Sequence, residues 1–237
     1  MTQKRMDRFY TAAGVEPADT GHAVVLDGRT VKTPQTRAEL IVPTRALAEA
    51  IAAEWDAQAD KVRPQEMPLT SYAMTALDTA GPRRDELIEG LAQYAETEMM
   101  CYRAPHPEEF AARQQAIWQP LLDWAALTYD ARLNVTTSIL PVEQPADAVQ
   151  ALRNAVAAHD TFELAALSGT VKAAGSLVIG LALTAGRLTA DQAFEAAEVE
   201  PTFQIEQWGL DEEQETRRAG VHADIAGAAR FIELLRA

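Results

Sequence analysis

The sequence predicts an α+β protein: a β-rich N-terminal domain over residues 1–80, with one or two helices, followed by a larger all-helical domain over 81–237. Three observations carry this. Short β-prone runs punctuated by turn residues fill the first forty positions. Helical periodicity dominates after about residue 45. The stretch KAAGSLVIGLALTA (172–185) is apolar almost all round, as the central helix of a bundle should be. A chain of 237 residues, 48% of them hydrophobic, is long enough to bury roughly three quarters of its unfolded surface.

HAVVLDGRTVKTP (22–34) holds two such runs on either side of Asp27-Gly28. A DG pair there signals a hairpin, because both central residues of the turn need positive φ. ELIVP (39–43) supplies a third strand, ended by Pro43. Thr44 is placed to cap a helix running from Arg45 to about Gln58, with Leu47, Ile51, Trp55 and Gln58 on one stripe. Trp55 therefore belongs to the core. Glu54 and Asp56 beside it contact either another element of the fold or a partner. Pro68 to Thr79 forms another short helix, and Gly81-Pro82 marks the domain boundary.

Beyond it, Leu87, Leu91 and Tyr94 form one stripe, and Phe110, Ile117, Leu121 and Trp124 another, with a kink expected at Pro120. Residues 132–144 read as an irregular connector containing a short strand. Ala146 to about His159 is helical, Asp160 or Thr161 caps the next helix, Gly186 stops the buried one, and Thr189 caps its successor. A last helix carries Ile225, Ala228, Ala229, Ile232 and Leu235.

The charge narrows the partners. There are 35 acids against 21 bases, a formal net charge of −14, which repels phosphate backbones and anionic lipid surfaces. Nucleic acid is not an expected partner. No run of 18 apolar residues suggests a membrane span, and the N-terminus has neither the apolar core of a signal peptide nor the character of a presequence. A cytoplasmic location and a monomeric state are the expectation. Cys101 is the only cysteine, so an internal disulfide and a multi-thiolate metal site are both excluded.

The search for catalytic chemistry is negative. None of the four histidines stands at ligand spacing from another histidine or the cysteine. SGTVKAAGS (168–176) has five residues between its glycines and its lysine inside the interval, which is not a phosphate loop. No GxGxxG follows a strand, and no GxSxG is present. Cys101 lies among apolar residues, where burial raises the pKa of a thiol and blunts it. No cofactor is expected.

One feature rises above this background. Between Leu188 and Thr216 there is no Lys or Arg, while nine acids are present: Asp191, Glu195, Glu198, Glu200, Glu206, Asp211, Glu212, Glu213 and Glu215. Phe194, Phe203, Ile205 and Trp208 are interspersed. Acids of one sign mixed with aromatics suit the steering and docking of a partner with basic and apolar patches. They equally suit a solubilising helix whose aromatics face inward.

GSLVIGLALTAGRLTADQAFEAAEVEPTFQIEQWG (175–209) resembles the C-terminal signature of the assembly chaperones that handle the alpha subunit of ATP synthase. RFY (8–10), LDGRTVKTP (26–34), AEAIAAEWDAQ (48–58), MPLT (67–70) and CYRA (101–104) follow in the family's order. The resemblance implies a two-domain protein of mitochondrial or alphaproteobacterial type that is not an enzyme. It implies a client, the free alpha subunit, whose surface for the beta subunit is shielded until assembly. It places the family's WGxxE element at Trp208, Gly209 and Glu212, with Glu212 as the acid that acts on the partner. The chain departs from the family at Glu215-Thr216, where relatives carry His-Asp, and at Pro201-Thr202, where they continue with acids. Two other functions stay open: an adaptor for a different client, and a metal-free hydrolase using a carboxylate pair.

If Trp55 is a core anchor, Trp55→Ala lowers the unfolding free energy by about 3–5 kcal/mol. An unchanged melting temperature would place the indole outside the core.

Overall fold

The structure, a computed structural model, describes residues 6–237. It has the expected α+β class, with short strands near the N-terminus and helices thereafter. The chain divides into two compact units. Of the described residues, one comprises those up to 84 with 161–166 and 230–237, and the other comprises 85–160 with 167–229.

In the first unit, β1 (Met6–Asp7) pairs antiparallel with β6 (Lys61–Val62). A second sheet is built on β3 (Gly21–Leu26), which pairs antiparallel with β2 (Ala13–Ala18) along one edge. Along the other edge it pairs with β4 (Arg29–Thr30) and β5 (Ile41–Val42). The expected hairpin is present: Asp27 and Gly28 turn the chain with φ of 47° and 75°. Ala23, Val24, Val25 and Leu26 are all buried, which is why β3 reads as a continuous apolar run instead of an alternating one.

Helix α1 (Arg45–Asp56) packs on β2, β3 and β5 with Leu47, Ala48, Ile51, Ala52 and Trp55 buried. Thr44 caps it, accepting the Leu47 N–H at 3.2 Å and donating its hydroxyl to the Leu234 carbonyl at 2.6 Å. The helix stops at Asp56, short of Gln58. The Gln58 side chain turns back instead, accepting the Arg63 N–H at 2.7 Å and donating to the Glu54 carbonyl at 3.2 Å.

The two acids beside Trp55 contact other elements of the fold. Glu54 receives the N–H groups of Leu69 and Thr70, both at 2.8 Å, and the Thr70 hydroxyl at 2.7 Å. It thereby caps α2 (Pro68–Thr75). Asp56 accepts the Ala13 N–H at 2.8 Å and lies 3.7 Å from the Arg8 guanidinium.

Helix α2 runs into a wider helical turn, Ala76–Ala80, which carries Asp78 inward. Its carboxylate accepts the Thr33 hydroxyl at 2.6 Å, the Thr36 hydroxyl, and the N–H groups of Gln35 at 3.1 Å and Thr36 at 2.9 Å. This pins the loop after β4.

In the second unit, α3 (Arg84–Glu96) buries Ile88, Leu91, Ala92 and Ala95. Helix α4 (Glu108–Tyr129) buries Phe110, Gln114, Trp118, Leu121, Leu122 and Ala125. The expected α4 stripe is rotated: Ile117 and Trp124 are only half-buried, while Trp118 is inside and donates its indole N–H to the Ala196 carbonyl at 2.8 Å. The connector after α4 is irregular, and its expected strand is reduced to one parallel bridge between Tyr102 and Thr136. Helix α5 (Ala146–Ala157) follows.

The expected apolar helix over 172–185 is divided. Helix α6 (Thr161–Ala174) ends at Gly175, whose φ of 69° is a conformation that glycine adopts without a Cβ clash. Ser176 then caps α7 (Leu177–Thr184), accepting the Ile179 N–H at 3.0 Å. All eight residues of α7 are buried, so the expectation of a central helix holds for this half. The fully buried Glu98 accepts the Leu177 and Val178 N–H groups at 3.0 and 3.2 Å. Helices α8 (Ala190–Ala197), α9 (Val199–Trp208) and α10 (Glu212–Leu235) complete the chain.

Burial pushes the Asp78 carboxyl up, but the hydrogen bonds it accepts outweigh this and hold it at about 2, below the ordinary 3.8. Its stabilisation is thus fully present above pH 3.8 and is lost as pH falls through about 2. Asp78→Ala leaves four donors without their acceptor and lowers stability by about 2 kcal/mol near neutrality. In urea titrations the gap between wild type and variant should narrow between pH 4 and pH 2, and a pH-independent gap would rule out the anchoring role.

Candidate partner-binding site

Trp208, Gly209 and Glu212 sit together where α9 hands over to α10. The placement begins with Phe203, which is buried and stacked on Phe110 of α4 with ring centroids 4.7 Å apart. Arg113 of α4 donates to both carboxylate oxygens of Glu206 at 2.9 and 2.8 Å. Its guanidinium lies 5.5 Å from the Phe203 ring centre. With that face of α9 committed to α4, Trp208 is left 79% exposed.

Gly209 ends the helix. Its φ is 88°, again a conformation that favours glycine, and its N–H donates to the Ile205 carbonyl at 2.8 Å. Leu210 follows, 50% exposed. Asp211 opens α10 by accepting the Gln214 N–H at 2.7 Å, so its carboxylate is in use as a cap. Glu212, Glu213 and Glu215 occupy the first turn of α10, where negative charge is favoured by the helix dipole. All three are exposed, and none has an ion-pair partner among the described residues. Asp211, Glu212, Glu213, Thr216 and Arg217 line a shallow open depression.

The acids of the base-free run therefore divide by role. Glu198, buried at the junction of α8 and α9, takes Arg217 on both oxygens at 2.9 and 2.7 Å and Arg218 at 2.8 Å. Arg218 also lies 5.1 Å from the centre of the Phe194 ring, and Phe194 meets His222 edge to face. His222 in turn is 2.9 Å from the Asp191 carboxylate. Glu198, Glu206 and Asp191 thus fasten helices together, while Glu212, Glu213 and Glu215 face solvent. Of the aromatics, Phe203 is buried, Phe194 half-buried, and Trp208 exposed.

Glu198, Arg217, Arg218 and Arg113 tie these helices together; the sequence marked Glu198 only as one acid of the base-free run and did not mark the three arginines. The available signal was the Arg217-Arg218 pair closing a 29-residue stretch without bases.

The arrangement offers an exposed indole and a leucine beside free carboxylates, a chemistry suited to protein contact. Exposed tryptophan is a common anchor at protein interfaces. Cys101 is fully buried, and burial, with the Glu98 carboxylate beside it, pushes its thiol up to about 12. Among the described residues no group of three His, Cys, Asp or Glu side chains is placed to hold a metal ion. No described helix is long and apolar enough to cross a membrane.

Residues 7–126 match the family model described as ATP12 chaperone protein. The chain belongs to the ATP12 chaperone family. Its likeness to solved structures extends over nearly the whole chain. The crystal structure of Atp12 from Paracoccus denitrificans is 38% identical, with a TM-score of 0.90 over 98% of this chain and 99% of that one. The Atu1473 protein of Agrobacterium tumefaciens is 34% identical, with a TM-score of 0.90 over 97% and 86% of the two chains. Among curated relatives, mitochondrial protein atp12 of Schizosaccharomyces pombe is 23% identical over 97% of this chain and 83% of its own.

Glu198→Ala removes the acceptor of three guanidinium hydrogen bonds but leaves only part-exposed arginines behind, so it is expected to cost about 1–2 kcal/mol in chemical denaturation. It should also raise hydrogen exchange in α9 and the first turns of α10. Unaltered protection there would show that the Glu198 cluster does not hold the site.

Proposed function

We propose that this chain is an assembly chaperone of ATP synthase that binds the unassembled alpha subunit and shields its surface for the beta subunit until the catalytic head forms. Membership of the ATP12 chaperone family supports the chaperone role. The observation that supports the contact site is the exposed Trp208 and Leu210 beside the unpaired Glu212 and Glu213.

In this reading Trp208 is the apolar anchor, Gly209 sets its direction, and Glu212 meets a cation on the client. The mechanism is passive. A face of roughly 800 Å² is covered on each partner, then released when the beta subunit binds it better. The chaperone has no catalytic step. It works in the cytoplasm of a bacterium, or in the matrix for the family's mitochondrial members.

The test is light scattering of isolated alpha subunit refolded by dilution, with beta subunit as a control client. Wild type at equimolar ratio should suppress aggregation of alpha and not of beta. Trp208→Ala and Glu212→Lys should each lose at least tenfold in potency with unchanged melting temperature, because both side chains are exposed. Equal protection of alpha and beta, or full potency in both variants, would overturn the proposal.

A further inference from the structure

The first unit contains a cleft of about 810 Å³ in which the sequence had suggested no site. Its lining includes Tyr10, Trp55, Met67 and Met74, with the exposed Phe9 at its lip. Tyr10 and Trp55 meet edge to face at 5.6 Å, and the Tyr10 hydroxyl donates to the Trp55 carbonyl at 2.7 Å. That bond does nothing for the Trp55 indole N–H, which is buried with no acceptor among the described residues. A buried donor left unpaired is costly and calls for an explanation, of which an acceptor brought by a bound molecule is one. Methionines beside aromatic rings make a surface that adapts to varied side chains.

The rim has the opposite charge to the molecule as a whole. Arg29, Lys32 and Arg37 line the cleft, all are exposed, and none has an ion-pair partner among the described residues. Among the described residues the lining holds one acid, Asp27, already engaged by the N–H groups of Thr11 and Ala12 at 3.0–3.1 Å. In a chain with 35 acids and 21 bases, three unpaired cations around one apolar cleft form a local receptor for negative charge. They are spread over the nine residues of RTVKTPQTR (29–37), as spaced carboxylates would require.

We propose that this cleft binds an acidic, apolar peptide segment of a protein client, apolar side chains entering over Tyr10, Trp55 and the methionines and carboxylates meeting Arg29, Lys32 and Arg37. It is a second contact surface, of opposite charge preference to that around Glu212. It rests on the chaperone reading only for the source of the segment.

The experiment uses the full chain and a fluorescein-labelled ten-residue peptide alternating leucine with glutamate, read by anisotropy. The same peptide with lysine in place of glutamate is the control, and oleate is tested as competitor. Wild type should bind the glutamate peptide at least tenfold more tightly than the lysine peptide. The triple variant Arg29→Glu, Lys32→Glu, Arg37→Glu should reverse that preference while keeping its circular dichroism and melting temperature. Glu212→Lys should bind the glutamate peptide as wild type does, which separates this site from the one proposed above. The Trp55 indole N–H resonance should move on peptide addition as the proton gains an acceptor. Equal binding of the two peptides, an unchanged preference in the triple variant, a stationary Trp55 resonance, or binding of oleate without binding of the peptide would each overturn the proposal.

Discussion

Helix Leu177–Thr184 is buried along its whole length, and the N–H groups of its first turn have no water to turn to. Ser176 takes one of them and the Glu98 carboxylate takes two. The same device recurs in the first unit, where Glu54 receives the first N–H groups of α2, Asp78 those of Gln35 and Thr36, Asp56 that of Ala13, and Asp27 those of Thr11 and Ala12. A carboxylate offers several acceptor positions, and hydrogen bonds to a charged acceptor are stronger than neutral ones. Buried backbone groups must be paired. Glu54, Asp78 and Glu98 meet that constraint for buried or half-buried groups by reaching between elements, while Asp56 and Asp27 tie backbone groups in the same way at the surface.

Such anchoring changes what the acidity means. An acid in use as a backbone acceptor or an ion-pair partner is unavailable to an outside molecule. Subtracting Glu198, Glu206, Asp191 and Asp211 from the base-free run leaves Glu195 on α8, Glu200 on α9, and Glu212, Glu213 and Glu215 at the start of α10, and only the last three follow the exposed Trp208 and Leu210 directly. The helix dipole explains why acids are tolerated at Glu212 and Glu213, and it does not explain an exposed indole beside them. The Arg113–Glu206 and Phe110–Phe203 contacts make that exposure a fixed property of the surface: a turn of α9 is committed to α4, and Trp208 is on the other side.

Much of the local structure was legible in the residues because it depends on near neighbours. The Asp27-Gly28 hairpin, the Thr44 and Thr189 caps, and the all-apolar course of α7 each follow from turn chemistry, side-chain capping or unbroken hydrophobicity. The errors came where a distant partner decided the outcome. The break before α7 is stabilised by Glu98, nearly eighty residues earlier, so periodicity carried the helix through Gly175-Ser176 without a warning. The buried face of α4 keeps the expected Phe110 and Leu121 but takes in Trp118, whose indole reaches the Ala196 carbonyl, and leaves Ile117 and Trp124 half-buried.

By itself the sequence determined the α+β class, the resemblance to a chaperone family, the absence of recognisable catalytic motifs, and the position of Trp208, Gly209 and Glu212 as one short element. Those are properties of composition, order and spacing. Only the tertiary structure decided which acids are spent on the chain's own N–H groups and guanidinium groups and which face outward. It alone gathered Tyr10, Trp55 and Met74 under the cations of residues 29–37. The physical reason is the same in both cases: whether a charge or a ring is available depends on what lies within a few ångströms of it, and those neighbours are far away along the chain.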